Sequence, residues 1–131
     1  MLSRREEGRE GEKRAEQTLK KEGYTIIEKN FRTRFGEIDI IAEEKGCLVF
    51  VEVKKRNTAT FGDPFHAVNK RKQQHLIKSA LFYMKSHRSF DRKVRFDVVG
   101  IDGDGVKIIR NAFMVDEEVD EFGVKSSEQG L

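Results

Sequence analysis

The 131-residue sequence holds one cysteine (Cys47), one proline and no wholly apolar run longer than about five residues. A lone thiol excludes an intramolecular disulfide and any cysteine-rich zinc site, and it fits a reducing compartment. One proline beside 11 glycines excludes collagenous and proline-rich chains. Such short apolar runs fall far below the ~20 residues that span a bilayer, and Met1 to Gly8 lack the apolar centre of a signal peptide. The expectation is a soluble, cytoplasmic protein without membrane contact.

What is present is a polar composition with a real core. Hydrophobic and charged residues each make up 37% of the chain, and the 10 phenylalanines stand among short Ile and Val runs. That is enough apolar material for one ordinary domain, expected over residues 1–115. Residues 116–131 are acidic and sparse in apolar groups, and read as a flexible tail.

The net charge of +3 conceals a sorting along the chain. Residues 54–95 carry 12 basic and 2 acidic side chains, residues 96–131 carry 3 and 9, and residues 36–53 carry 1 and 5. An acidic island therefore lies between basic flanks. A basic block attracts polyanions through phosphate contacts and counterion release. A charge run by itself more often marks a solvated face, so a second feature is required.

Periodicity places the elements. Ser3 to Glu22 is rich in helix formers, with Gly8, Gly11, Glu12, Ala15 and Leu19 on one stripe and Gly23 as its C-cap. Tyr24 to Phe31, Gly36 to Ala42 and Cys47 to Lys54 read as strands, the last two joined by a tight hairpin through Glu43-Glu-Lys-Gly46. Asp63-Pro64 supplies an N-cap and first-turn proline for a helix to Ser86, whose apolar stripe is Val68, Leu76, Ile77, Ala80, Leu81 and Met84. Val94 to Ile101 and Val106 to Arg110 flank the turn Asp102-Gly-Asp-Gly105. The order α-β-β-β-α-β-β implies a single α/β domain, a central mixed sheet flanked by helices.

One constellation points to chemistry. Alternation puts Glu52 and Lys54 on the same face of their strand. With Lys45-Gly46 at the turn centre, Asp39 directly opposes Glu52. Like charges at that separation destabilise a sheet unless something compensates, and a divalent cation would. Lys54 would then orient water or neutralise developing phosphoryl charge. A polar outer face with Lys54 in a solvent ion pair is the usual meaning of such residues. Against it, Ile38, Ile40, Ile41, Val49, Phe50, Val51 and Val53 load both faces with apolar groups, as in an interior strand. Glu12, on the buried helix stripe, is a third carboxylate for the site, with Glu16 its weaker substitute. Lys72 and Gln73 adjoin the stripe of the second helix and are within reach of a phosphate. His66, His75 and His87 have no metal-ligand spacing, and Cys47 reads as a small buried hydrophobe.

Gly36-Glu-Ile-Asp-Ile-Ile-Ala, Phe50-Val-Glu-Val-Lys and Arg95-Phe-Asp-Val-Val resemble the bacterial YraN family from about Gly8 to Phe113. That family is similar to the PD-(D/E)XK nucleases and, among them, to archaeal Holliday-junction resolvases, which implies a restriction-endonuclease-like fold. By that resemblance Asp39 is the motif aspartate, Glu52 and Lys54 the E-x-K pair, and Glu12 the helical glutamate of the metal shell. The Val53 carbonyl is a further oxygen ligand, and Lys72 and Gln73 match the basic or glutamine position after the core hairpin. Ile38 stands where the nominal motif has proline.

Three functions are thus open. The first is a Mg²⁺- or Mn²⁺-dependent endonuclease acting on DNA, branched DNA included, with Lys55, Arg56, Lys70, Arg71 and Lys72 on phosphates. A homodimer would suit a four-way junction. The second is a non-catalytic nucleic-acid-binding or adaptor domain on the same surface. The third is a structural protein partner that contacts its target through the acidic tail.

Overall fold

The structure is a computed structural model that describes residues 4–55 and 68–115. Helix α1 (Arg4–Lys21) precedes three consecutive strands, β1 (Thr25–Thr33), β2 (Gly36–Glu44) and β3 (Cys47–Lys55). Helix α2 (Lys70–Ser86) then leads to β4 (Lys93–Asp102) and β5 (Gly105–Ile109). The strands form one five-stranded sheet in chain order. All neighbours are antiparallel except β3 and β4, and that parallel pair is what requires the crossover containing α2. This is a single α/β domain of mixed sheet and flanking helices, consistent with a restriction-endonuclease-like fold. None of its described helices is long and apolar enough to cross a membrane.

The helix ends follow local chemistry. Gly23 takes φ +101, and the Tyr24 and Gly23 N–H groups donate to the Leu19 and Lys20 carbonyls, a Schellman closure that turns the chain into β1. The start of α2 departs from expectation. Asn69 is extended, and its side chain accepts from the Lys72 N–H, so the helix begins at Lys70 and does not run unbroken from Asp63-Pro64. Asx chemistry nearer the apolar stripe is the stop signal that the Asp-Pro reading passed over. Asp63 and Pro64 themselves lie outside the described residues, as do Arg56, His66 and the tail 116–131.

The sheet is covered on both faces. Ala15, Leu19 and Tyr24 pack on Ile40, Ala42, Val49, Val51, Val99 and Ile101. On the other face Leu76, Ile77, Ala80, Tyr83 and Met84 pack on Ile38, Ile41, Leu48, Phe50, Phe96 and Val98. Strand β3 sends Leu48 and Phe50 to α2, and Val49 and Val51 to α1. Its unbroken apolar run is that of a strand with no solvent face.

Alternation fails at one level of the sheet. Ile38 belongs to the α2 side and Ile40 to the α1 side, although they are two residues apart. Across the ladder, Lys29 pairs with Glu16 of α1 while Phe31 packs on the α2 side. Between Lys29 and Phe31 stands Asn30 at φ +55, and between their partners Ile40 and Ile38 stands Asp39. Both strands change face together here, where the chain uses a left-handed residue that asparagine tolerates better than most.

A second group of charges lies under the α1-side layer. The Arg95 guanidinium donates to both Asp97 oxygens at 2.8 Å and to Glu44 at 2.6 Å. Arg110 forks onto Glu44, and Tyr24 Oη donates to Asp97 Oδ2 at 2.6 Å. The Asn111 N–H caps Asp97 Oδ1 at 2.9 Å. Glu44 and Asp97 are 4% and 1% exposed, yet each is matched by an arginine. The Arg110 guanidinium first, and Arg95 with it, lower the Glu44 pKa to about 2. Burial first, and then the Asp97 carboxylate, raise that of Tyr24.

Candidate active site

The hairpin that builds the site turns through Lys45 and Gly46, both at positive φ, as a two-residue type I′ connection requires. Glu44 pairs with Cys47, and the ladder runs to Ile40 opposite Val51. The next positions along that register are Asp39 and Glu52. Here Asp39 Oδ2, a side-chain atom, accepts the Val53 N–H at 2.8 Å. The carboxylate is therefore gripped by the backbone of the neighbouring strand, with little freedom to swing away.

Held this way, Asp39 meets acidic groups from two directions. On the α1 side its carboxylate, that of Glu12 and that of Glu37 each offer an oxygen within 4.8 Å of the others. On the β3 side it stands next to Glu52, whose charge acts on it. Burial first, and then the Glu52 charge, push the Asp39 pKa well above the ordinary carboxylate range. Burial first, and then the Glu37 charge, raise that of Glu12. Four carboxylates converge here, with Asp39 between the other three.

The cations sit to one side. Glu52 is 4% exposed, and its Oε2 faces Lys54 Nζ at 3.7 Å and Lys72 Nζ at 3.5 Å. Lys72 comes from the first turn of α2, so the crossover helix delivers an ammonium to the hairpin. Among the described residues Glu37 is paired with Arg32, at 3.4 Å and largely solvated. The donor set is all oxygen, the preference of a hard divalent ion. Glu12, Glu37 and Asp39, whose oxygens lie within 4.8 Å of one another, are the residues that would hold such an ion.

Of the residues expected from sequence, Asp39, Glu52, Lys54, Glu12 and Lys72 come together, and Val53 contributes its N–H to Asp39. The others disperse. Lys55 runs its stem past Gly11 on the α1 side, away from Lys54. Lys70 and Arg71 are exposed at the start of α2. Gln73 donates its side-chain amide to the Val68 carbonyl at 2.9 Å, tying down the approach to the helix. Glu16 is held by Lys20 and Lys29, outside the acidic group. Glu37 is the residue that sequence reasoning missed. Its signal was available, because it lies two positions before Asp39 on the same strand.

Comparison with known proteins places the chain in a family. The Uncharacterised protein family UPF0102 matches residues 11–101. The chain belongs to that family. A UPF0102 protein of Desulfosudis oleivorans is 49% identical over 116 residues, covering 86% of this chain and 94% of the relative. One from Thermodesulfovibrio yellowstonii is 48% identical over 112 residues, covering 86% and 99%, and one from Fusobacterium nucleatum 41% over 116 residues, covering 88% and 98%. UPF0102 is the family named YraN above, and its match spans every site residue from Glu12 to Gln73.

Proposed function

We propose that this UPF0102 protein is a divalent-metal-dependent endonuclease that hydrolyses phosphodiester bonds of DNA, branched DNA included, in the cytoplasm. The observation that carries the reading is Asp39, fixed by the Val53 N–H between Glu12 and Glu37 on one side and Glu52 with Lys54 on the other. A purely structural sheet has no use for four converging carboxylates, which cost stability unless a ligand repays it.

Asp39, Glu12, Glu37 and Glu52 are the residues that would hold Mg²⁺ or Mn²⁺, with the Val53 carbonyl a further oxygen. The ion supplies charge neutralisation at the phosphoryl oxygens and a lowered water pKa. The chain's own groups do the rest. The Val53 N–H keeps Asp39 from rotating out of the site. Lys54 directs its ammonium at the space beside Glu52, where it orients the attacking water and steadies negative charge gathering on the phosphoryl oxygens. Lys72, from the other face, holds a phosphate oxygen. Water's oxygen bonds to phosphorus, the ester P–O bond breaks, and the water proton is passed on as the leaving oxygen becomes a hydroxyl.

The test is metal-dependent nicking of duplex, flap and four-way-junction substrates by wild type, Asp39→Ala, Glu52→Ala and Lys54→Ala. Activity in wild type with a loss of about 10³-fold or more in the variants supports the reading. Wild-type inactivity on every substrate with Mg²⁺ and Mn²⁺ refutes it.

A further inference from the structure

The strongly basic block at residues 54–95 directs attention to the α2 side, but one of the acidic residues, Glu12, lines a cavity on the other side. Glu12 and Asn30 line a cavity of about 520 Å³ between α1 and β1, together with Arg9, Lys13, Glu16, Gln17, Lys20 and Lys29. Asn30 stands between Lys29 and Phe31, whose ladder partners Ile40 and Ile38 flank Asp39, and Glu12 belongs to both the cavity lining and the acidic group, so the cavity and the site share a wall. Four cations face two carboxylates along it. Glu16 is already met by Lys20 at 2.9 Å and by Lys29 at 3.0 Å. Arg9 and Lys13 are exposed and have no carboxylate partner among the described residues, although Glu6 and Glu10 flank them in the shallower depression next along the helix.

We propose that this groove is a second nucleic-acid contact, in which Arg9 and Lys13 hold the phosphate backbone that leads away from the bond at Asp39. The inference rests on the nuclease reading for its direction but not for its measurement. Positions i and i+4 of a helix are ~6 Å apart along its axis, on one face, so the two side chains address neighbouring phosphates of one strand. Every residue that lines the groove is polar or charged, and Glu12 belongs to both the groove and the acidic group, which suits a charged polymer that continues into the site. The nucleic acid then crosses the protein from Lys72 at the start of α2, over Asp39, to the α1–β1 groove. The basic block supplies only one end of that path.

The experiment uses the full chain in EDTA, so that binding is read without cleavage. Anisotropy of a labelled 30-base-pair duplex and a labelled four-way junction is measured from 50 to 200 mM salt for wild type, Arg9→Ala/Lys13→Ala, and Lys107→Ala on the far edge strand. Each lost phosphate contact lowers the slope of log affinity against log salt by ~0.9. The double variant should therefore lose about 2 from the slope, and its affinity should fall about tenfold less than that of wild type across this salt range. Lys107→Ala should match wild type. Thermal melts confirm that the exposed substitutions leave the fold intact. An unchanged slope and affinity in the double variant, or a wild type that binds neither probe, overturns the inference. Cleavage by wild type with an unchanged slope removes the groove and leaves the nuclease. A reduced slope with no cleavage under any metal removes the nuclease and leaves the groove.

Discussion

Two groups of buried charge stand on one sheet and behave in opposite ways. Around Glu44 and Asp97 every carboxylate meets a guanidinium, a phenol or a backbone N–H at hydrogen-bond distance, and acid and base are matched in number. Around Asp39 the carboxylates meet one another, and among the described residues Lys54 and Lys72 pair with Glu52. Burial is therefore not what separates a structural charge from a functional one, because Glu44 and Glu52 are equally hidden at 4% exposure. The difference is whether each carboxylate meets a counter-charge: Lys54 and Lys72 stand at Glu52, whereas Asp39 is met by further carboxylates. Where every carboxylate is so met, the group is closed to ligands, and where one is not, a place is left for an ion from solution.

The sharpest way to break this contrast is to exchange the roles of the two aspartates. Asp39→Asn keeps an acceptor for the Val53 N–H but removes the charge. It should abolish hydrolysis, by about 10³-fold or more, while the metal-free protein remains as stable as wild type or more so in urea denaturation at neutral pH. Asp97→Ala should do the reverse. It strands Arg95, the Tyr24 hydroxyl and the Asn111 N–H, and should cost about 3–5 kcal/mol of stability. A variant at position 39 that unfolds, or one at 97 that is neutral, would show that the two groups are not different in kind.

The pH dependence of stability should carry the same contrast with opposite signs. The Glu44 pKa is depressed to about 2, so its contribution is present above the ordinary carboxylate range and is lost as pH falls toward 2. The Asp39 pKa is raised, so the metal-free native state binds the extra proton, and its stability falls as pH climbs from about 4 through neutrality. Thermal melts with and without Mn²⁺ test this, and the ion should flatten the fall on the alkaline side. Asp39→Asn should make that fall shallower, leaving the part due to Glu12, and Glu44→Gln should reduce the acid-side loss. The smallest effect belongs to a residue outside both groups. Asn69→Ala should cost about 1 kcal/mol by deleting the cap of α2, and it should weaken hydrolysis only as far as Lys72 moves with the helix end.

Much of the site was legible because a hairpin is a local object. Two strands and a two-residue turn specify which residues face each other, and Asp39 opposite Glu52 with Lys54 follows from counting. Glu12 was legible for a similar reason, since a helix stripe announces its inward face. Glu37 obeyed the same alternation and was overlooked in favour of the pair across the turn. The start of α2 was misread because Asp-Pro is a strong cap signal by itself, whereas which of two Asx residues caps the helix depends on where the apolar stripe must dock. The Tyr24, Glu44, Arg95, Asp97 and Arg110 group gave no sequence signal beyond ordinary polar residues in strands. Tyr24 and Asp97 are 73 positions apart, and only the β3–β4 crossover and the β5 return bring the group together.

The amino-acid sequence by itself determined the order of elements, the register of the first hairpin and the identity of its acidic and basic residues. These depend on interactions between residues close along the chain, where periodicity and turn chemistry suffice. The tertiary structure alone decided that Asp39 leaves the regular alternation at Asn30, that Lys72 reaches Glu52 from another element, and that Glu12 of the site also lines the α1–β1 groove. Each of those is set by which layers pack together, and packing between distant segments is a property of the assembled sheet rather than of any one of its strands.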